Sequence, residues 1–372
     1  MNLAEHMGAL SMAREVGEPA GEKPLELVIS LADLRRLPEW LKERPNLRIG
    51  HIQIPDLPAD TPVEIRFPPS RGTPEIVAGL NGLGTRPSEE RVFVHPRAYI
   101  VQASSANSAS VAGSKSLLSG DLDEPLRKRK PIPDFYDKNA PLLEEAYGLM
   151  GDAIGRHTFA SRVMTIVTGD PGYLPIASHL EYEHPLVRPE AGDLMIDGGV
   201  SDMVWAQEKF AKAVGPEGLI HGFEPIAWMA EKAAATLSAY GNYHLHQAGL
   251  ADKDGEAVFS SLRDSSHLGA SVGAETETCR LASLDSFAEK ENLGKVDCVK
   301  LDIEGAELAA LKGGRSTISR DKPKLIVCLY HKPRDLYEIP LYVRDLSEDY
   351  AMTCAHSSPG FTDTILYADA RP

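Results

Sequence analysis

The chain has 372 residues, 42% of them apolar and 25% charged, enough to bury a core in one large or two modest domains. Its net charge of −15 argues against nucleic acid or an anionic membrane as the main partner, because both require a positive surface. No apolar run nears the ~20 residues of a bilayer span, and the N-terminus has no apolar leader. The four cysteines, Cys279, Cys298, Cys328 and Cys354, fall in strand-like stretches without C-x-x-C spacing, so buried free thiols in a reducing cytoplasm are expected.

Residues 1–23 lack a firm apolar period and read as a flexible tail. Residues 24–102 read as a small α/β accessory domain: strands at Leu25–Ser30, Leu47–Ile54, Val63–Phe67 and Arg91–Gln102, helices at Leu31–Arg44 and Thr73–Leu83. The Ser-, Ala- and Gly-rich run Ala103–Gly120 opens a linker over 103–140, which carries the basic cluster Arg127–Lys130. Helices are expected at Pro141–Gly155 and Arg156–Thr168, the second broken by Gly169–Tyr173.

From Gly192 strands and helices alternate. Strands are expected at Asp193–Asp197, Leu219–Glu224, Tyr243–Gln247, Val296–Asp302 and Lys324–Tyr330. The helices between them are Met203–Val214, Ile226–Tyr240 and Ala306–Gly313, and a β-rich passage runs to Leu281. Met352–Ala355 and Thr364–Tyr367 can close the sheet as an antiparallel pair. Alternation at these lengths implies an α/β fold with a mostly parallel sheet covered on both faces, here over 141–372.

Three apolar strands end in acids: I-D-G-G at Ile196–Gly199, G-F-E-P at Gly222–Pro225, and K-L-D-I-E-G at Lys300–Gly305. Ligands of open α/β sheets bind outside the carboxyl ends of strands. The Asp197-Gly198-Gly199 turn lets a ligand approach the backbone, and Ser201 stands where a helix begins; a plain turn with a Ser201 or Asp202 cap is the alternative. Asp197 points to a cationic ligand group. Glu224, with Pro225 after it, suits a ribose diol, because one carboxylate accepts from two hydroxyls. A dinucleotide is the rival ligand, but neither a full G-x-G-x-x-G nor a P-loop is present, and pyrophosphate would meet Asp197 and Asp202. S-adenosylmethionine, with its sulfonium and ammonium, tolerates those acids.

The stretch K-L-D-I-E-G-A-E-L-A-A-L-K-G-G, with I-D-G-G and G-F-E-P in order before it, resembles the hallmark of the FkbM family of class I S-adenosylmethionine-dependent methyltransferases. The likeness runs roughly from Tyr147 to Ala368, taking in T-G-D-P-G-Y-L-P and L-Y-H-K-P-R-D-L-Y-E-I-P. It implies a Rossmann-like seven-stranded sheet whose last strand is antiparallel. It also implies that Asp197, Gly198 and Gly199 meet the methionine part of the cofactor, that Glu224 meets the ribose, and that Asp302 lies beside the methyl group or the acceptor. The family usually has a further glycine four residues after Gly199, where this chain has Met203.

Methyl transfer from a sulfonium is an in-line displacement that often needs a base. The candidate catalytic residues are Asp302, Glu304, His331 and His356, the histidines competing with loop or capping roles. Tyr173 is a candidate lid over the cofactor. A divalent cation held by Asp302, Glu304 and His331 is the minority reading, and same-face His244 and His246 read as strand packing. Glu307 and Lys312 read as structural first-turn and last-turn charges. The favoured function is O-methylation of a small-molecule hydroxyl or carboxylate, on a sugar or natural product. N-methylation of a peptide or amide, a non-catalytic cofactor-binding scaffold and an NAD oxidoreductase follow in that order. The expected partner is a small-molecule or peptide acceptor, with homo-oligomerisation left open.

Overall fold

In the computed structural model, the apolar runs that end in acids become neighbouring parallel strands. The structure describes residues 2–17, 25–30, 62–67, 99–103, 130–175, 177, 179, 181–201, 204–262, 265–268, 275–357 and 361–370. The chain divides into two units: Met1–Tyr136 with Ala160–Ser178 and His356–Phe361, and Asp137–Phe159 with His179–Ala355 and Thr362–Pro372.

The first unit holds helix α1 (Leu3–Gly17) and a three-stranded antiparallel sheet of β1 (Leu25–Ser30), β2 (Pro62–Phe67) and β3 (Tyr99–Ala103) in that order. Helix α1 replaces the expected flexible tail. Its start is a reciprocal cap, with the Asn2 side chain accepting the Glu5 N–H at 2.8 Å and Glu5 accepting the Asn2 N–H at 3.0 Å. The elements expected at Leu31–Arg44, Leu47–Ile54 and Thr73–Leu83 lie outside the described residues, as do Asp202 and Met203. So does the linker beyond Ala103, except its C-terminal end from Lys130.

Helices α2 (Phe135–Gly148) and α3 (Ala153–Thr168) differ from expectation at their junction. Pro141 sits inside α2 rather than at its start. Helix α3 begins where Asp152 accepts the Gly155 N–H at 2.7 Å.

The second unit is built on seven strands: β4 (Leu194–Gly198), β5 (Leu219–Phe223), β6 (Tyr243–His246), β11 (Cys298–Leu301), β12 (Lys324–Cys328), β13 (Ala351–His356) and β14 (Thr364–Asp369). Their spatial order is β13-β14-β12-β11-β4-β5-β6. The pairings β12–β11, β11–β4, β4–β5 and β5–β6 are parallel, and β14 runs antiparallel to β12. The β-rich passage is a separate four-stranded sheet in the order β7-β10-β8-β9, from β7 (Gly249–Leu250), β8 (Gly255–Leu262), β9 (Ser265–Leu268) and β10 (Glu275–Ala282). Strands β11 and β12 are buried at every position, as strands covered on both faces must be.

Helices α4 (Trp205–Val214), α5 (Ala227–Leu237), α6 (Leu284–Lys290), α7 (Glu307–Gly313), α8 (Arg315–Asp321) and α9 (Asp335–Leu346) cover the sheet. No helix was expected at α9, although Leu336, Ile339 and Val343 bury one face at helical spacing; Pro340 interrupts the pattern. All four cysteines are free and buried, and no helix among the described residues is long and apolar enough to cross a membrane.

Candidate active site

The carboxyl ends of β4, β5 and β11 open into a cleft with a cavity volume of about 300 Å³. Gly199, Ser201, Glu224, Pro225, Asp302 and Glu304 line it. Its apolar side is Met229, Leu250 and Phe259, with Trp205 at 42% exposure. The acids Glu181, Glu224, Asp302, Glu304 and Asp363 face a single basic residue, Lys300, among the described residues.

The turn after β4 is fixed by close approach. Gly199 has φ +82°, and a Cβ there would lie 1.7 Å from the Asp302 carbonyl oxygen. Ser201 follows at φ 61°, and its N–H donates to Glu224 Oε2 at 3.0 Å while the Ile226 N–H donates to Oε1 at 3.0 Å. Glu224 therefore stands at the expected strand end, its carboxylate oriented by one backbone donor per oxygen.

Asp197 departs from expectation. It is fully buried and does not line the cleft. Register sets Lys300 of β11 opposite Asp197 of β4, and the ammonium lies 3.1 Å from Asp197 Oδ1. Asp197 Oδ2 accepts from Tyr243 at 2.7 Å and from Gln207 at 3.1 Å. Tyr243 reaches across β5 because residue 222 is glycine; a Cβ there would lie 2.4 Å from the Tyr243 hydroxyl oxygen. The carboxylate expected to meet a cationic ligand meets a buried lysine instead. Gly198 is packed beneath the cleft, its missing Cβ facing Leu301, Leu250 and Ile303.

Lys300 also donates to the Gly198 carbonyl at 2.9 Å and the Gly199 carbonyl at 2.6 Å. Burial alone would lower its pKa, but Asp197 and Asp302 raise it, so the charged form is held. The sequence signal for it is one lysine inside the apolar run V-D-C-V-K-L.

Asp302 accepts from the Tyr182 hydroxyl at 2.5 Å and the Tyr330 hydroxyl at 2.9 Å. Burial pushes its carboxyl up, but Lys300, His331 and the two tyrosines outweigh it and hold the carboxyl below the usual range. His331 lies behind the cleft lining, its Nε2 3.5 Å from Asp302 and 3.5 Å from Glu304 and its Nδ1 2.9 Å from Glu307. Burial would lower its pKa, yet the Glu307 hydrogen bond and the three carboxylates raise it, favouring imidazolium.

Glu307 is not a surface first-turn acid. It is fully buried and accepts the Ile303 N–H at 2.9 Å. Asp302, Glu307 and His331 place ligand atoms within 4.8 Å of one another, as a cation site would. Asp302 accepts from two tyrosines, Glu307 Oε1 accepts a backbone N–H, and His331 Nδ1 lies within ion-pair distance of Glu307, so the arrangement reads as an ion-pair network.

The arm Glu181–Tyr182 gave no signal in the sequence. Its tyrosine holds φ 61°, stacks on Trp205 at 6.3 Å and reaches Asp302 across 120 residues of sequence. Burial, then Asp363 and Asp302, push the Glu181 carboxyl up to about 8. Among the described residues, six non-glycine positions have positive φ, and four of them, Tyr182, Ser201, Glu304 and Asp363, line this cleft. Such concentration is typical of functional sites.

Tyr173 and His356 are residues of the first unit, whereas the cleft lies in the second. Tyr173 ends a 3₁₀ turn capped by Asp170, and His356 is buried with its carbonyl accepting the Ala177 N–H at 2.7 Å. His244 is exposed and His246 half-buried; His246 Nε2 lies 3.0 Å from His221 Nδ1, with Phe287 packed against it.

Residues 196–350 match the model of the methyltransferase FkbM domain. No curated protein matches the sequence. The methyltransferase FkbM of Methylobacillus flagellatus KT is similar in structure at 21% identity and a TM-score of 0.53, over 63% of this chain and 60% of that one. This chain thus spans less than two thirds of that relative, and the likeness is one of fold. Aeropyrum pernix fibrillarin with bound S-adenosyl-L-methionine aligns at 12% identity and TM-score 0.31, over 48% of this chain and 67% of that chain. An S-adenosylmethionine-dependent methyltransferase of Aquifex aeolicus aligns at 13% and 0.30, over 49% and 84%.

Proposed function

We propose that this chain, an S-adenosylmethionine-dependent methyltransferase whose residues 196–350 form an FkbM methyltransferase domain, methylates the oxygen of a hydroxyl on a small molecule such as a sugar or natural product. The observation that carries the reading is the excess of carboxyl groups around the cleft. Carboxylates accept hydrogen bonds from acceptor hydroxyls and repel an anionic acceptor, which disfavours the carboxylate acceptor of the sequence reading.

The residues suit the cofactor. A glycine turn, an oriented strand-end acid and an apolar wall of Met229, Leu250 and Phe259 match a nucleoside, and the acidic lining matches a cation. S-adenosylmethionine supplies an electrophilic methyl group on a sulfonium. Glu224 would grip the ribose hydroxyls, while Gly199 and Ser201 would face the methionine portion. Asp197 would support that turn from below rather than touch the ligand, and Lys300, at the floor of the cleft, would hold the turn's two carbonyls. Asp302, held ionised by two tyrosines and Lys300, would orient the acceptor or favour the positive charge of the methyl donor.

An amine of a peptide is the second reading, favoured by the same acidic lining; the non-catalytic scaffold is the reading of another class. The four buried thiols suit a reducing cytoplasm, and we assign neither nucleic acid nor membrane as a partner. A separate accessory domain in the N-terminal third, and any homo-oligomer, belong to the same proposal. Calorimetric titration with S-adenosylmethionine and with NAD, then tritiated-methyl transfer to panels of alcohols, carboxylates and peptides, tests it. Binding of S-adenosylmethionine and transfer to alcohols are expected; tight binding without transfer to any panel member would favour the scaffold.

A further inference from the structure

Two segments outside the matched domain line its cleft: Glu181 and Tyr182 before residue 196, and Asp363 after residue 350. They bear on which group takes the acceptor's proton. Asp302 is engaged by two hydroxyls and held ionised, so it is a weak base. His331 is pinned to Glu307 and favours the charged form, so it has no lone pair to offer in that state. Glu181 lines the cleft beside Asp302, on an arm fixed three ways by Tyr182: its hydroxyl on Asp302, its ring on Trp205, and a left-handed backbone.

We propose that Glu181 is the catalytic base for the acceptor hydroxyl and that Asp363 acts through it as a positioning residue. The inference rests on the hydroxyl reading above. In the step, the acceptor oxygen forms a bond to the methyl carbon as the carbon–sulfur bond breaks. The electron pair of that bond goes to sulfur, which becomes a neutral thioether, and the hydroxyl proton passes to the Glu181 carboxylate. A base whose pKa lies near the working pH combines ionised population with proton affinity, and Glu181 at about 8 meets that condition.

The charged groups around Glu181 act on it in both senses. Asp363 and Asp302 raise its pKa, and Lys300 and the Tyr182 hydroxyl lower it. Cys328 and Tyr330 at the end of β12, and Tyr367 on β14, also sense its charge, and their own pKa values are raised in part by Glu181.

The test uses the full chain. The Glu181 carboxyl is titrated by carbon-13 NMR with labelled glutamate, assigned by its loss in Glu181→Gln. Methyl transfer from tritiated S-adenosylmethionine is then followed on a panel of methyl glycosides and phenols. The carboxyl signal should titrate well above the ordinary glutamate range. Glu181→Gln should keep cofactor affinity and lose transfer about 10²–10⁴-fold. Asp363→Asn should move the rising limb of the wild-type kcat/KM pH profile down by about one pH unit, as removal of a neighbouring negative charge requires. Wild-type rates in Glu181→Gln, or an ordinary carboxyl titration, would overturn the inference. Failure of the wild type to bind S-adenosylmethionine, or to methylate any hydroxyl, would instead sink the reading on which it rests.

Discussion

Two parts of the cleft lining are built differently. The part formed by Gly199, Ser201 and Glu224 lies wholly within residues 196–350 and is held by the sheet itself: register pairs Lys300 with Asp197, and Tyr243 crosses at Gly222. The part formed by Glu181, Tyr182 and Asp363 is brought in from outside that domain, and its arm is held by the Tyr182 side chain, on Asp302 and against Trp205. The difference supports the proposed division of tasks. A shared cofactor suits the part the fold supplies, and a particular acceptor suits the part that flanking segments supply, because binding specificity concentrates on loops positioned by a rigid scaffold.

The largest expected effect is on the sheet-held part. Lys300→Met strips the buried Asp197 of its ion-pair partner and should cost about 3–5 kcal/mol, read as a fall in the urea midpoint. An unchanged midpoint would mean that the Lys300–Asp197 pair does not hold the sheet together. Gly199→Ala is next: its Cβ would run into the Asp302 backbone at left-handed φ, for about 1–3 kcal/mol of strain. Calorimetry should show at least a tenfold loss of cofactor affinity, and unaltered affinity would detach the cofactor from this turn.

Beside the other part, Tyr330→Phe removes one hydrogen bond to an ionised carboxylate, worth about 1.5–3 kcal/mol. It should slow turnover while leaving cofactor affinity in place. Equal loss of both would erase the division between the two parts.

The effect that acts least directly on the cleft is on stability against pH. The folded chain keeps the Glu181 proton that the unfolded chain releases near 4.5, so this group's contribution falls as pH climbs from there toward about 8. His331 works in the same sense: its raised pKa adds stability below 6.5 that is lost as pH rises through the folded value. Glu181→Gln should therefore have a shallower fall in Tm between pH 5 and pH 8 than the parent, by differential scanning fluorimetry. An equally steep fall would assign the loss to other groups.

The same contrast marks what could be read from the sequence. Strand tips were legible because an apolar run ending in an acid and a glycine is a local pattern, and Asp302, Glu304 and Glu224 all line the cleft. The partner of Asp197 was harder, since a lysine within an apolar strand discloses its carboxylate only when register is known. Glu307 looked like a helix-dipole residue because position in the helix is visible in sequence and burial is not. Glu181 and Tyr182 were invisible: their partners are distant in sequence, and no period marks the segment. The N-terminal helix is obscured for a different reason: its apolar period is weak, and the Asn2–Glu5 cap is a signal of only two side chains.

The most direct test is calorimetric titration of S-adenosylmethionine into the full chain, its Glu224→Ala variant and its Glu181→Gln variant. The account predicts binding to the parent, at least tenfold weaker binding to Glu224→Ala, and parent-like binding to Glu181→Gln. No heat with the parent, or equal weakening in both variants, would contradict the placement of the cofactor at the sheet-held part.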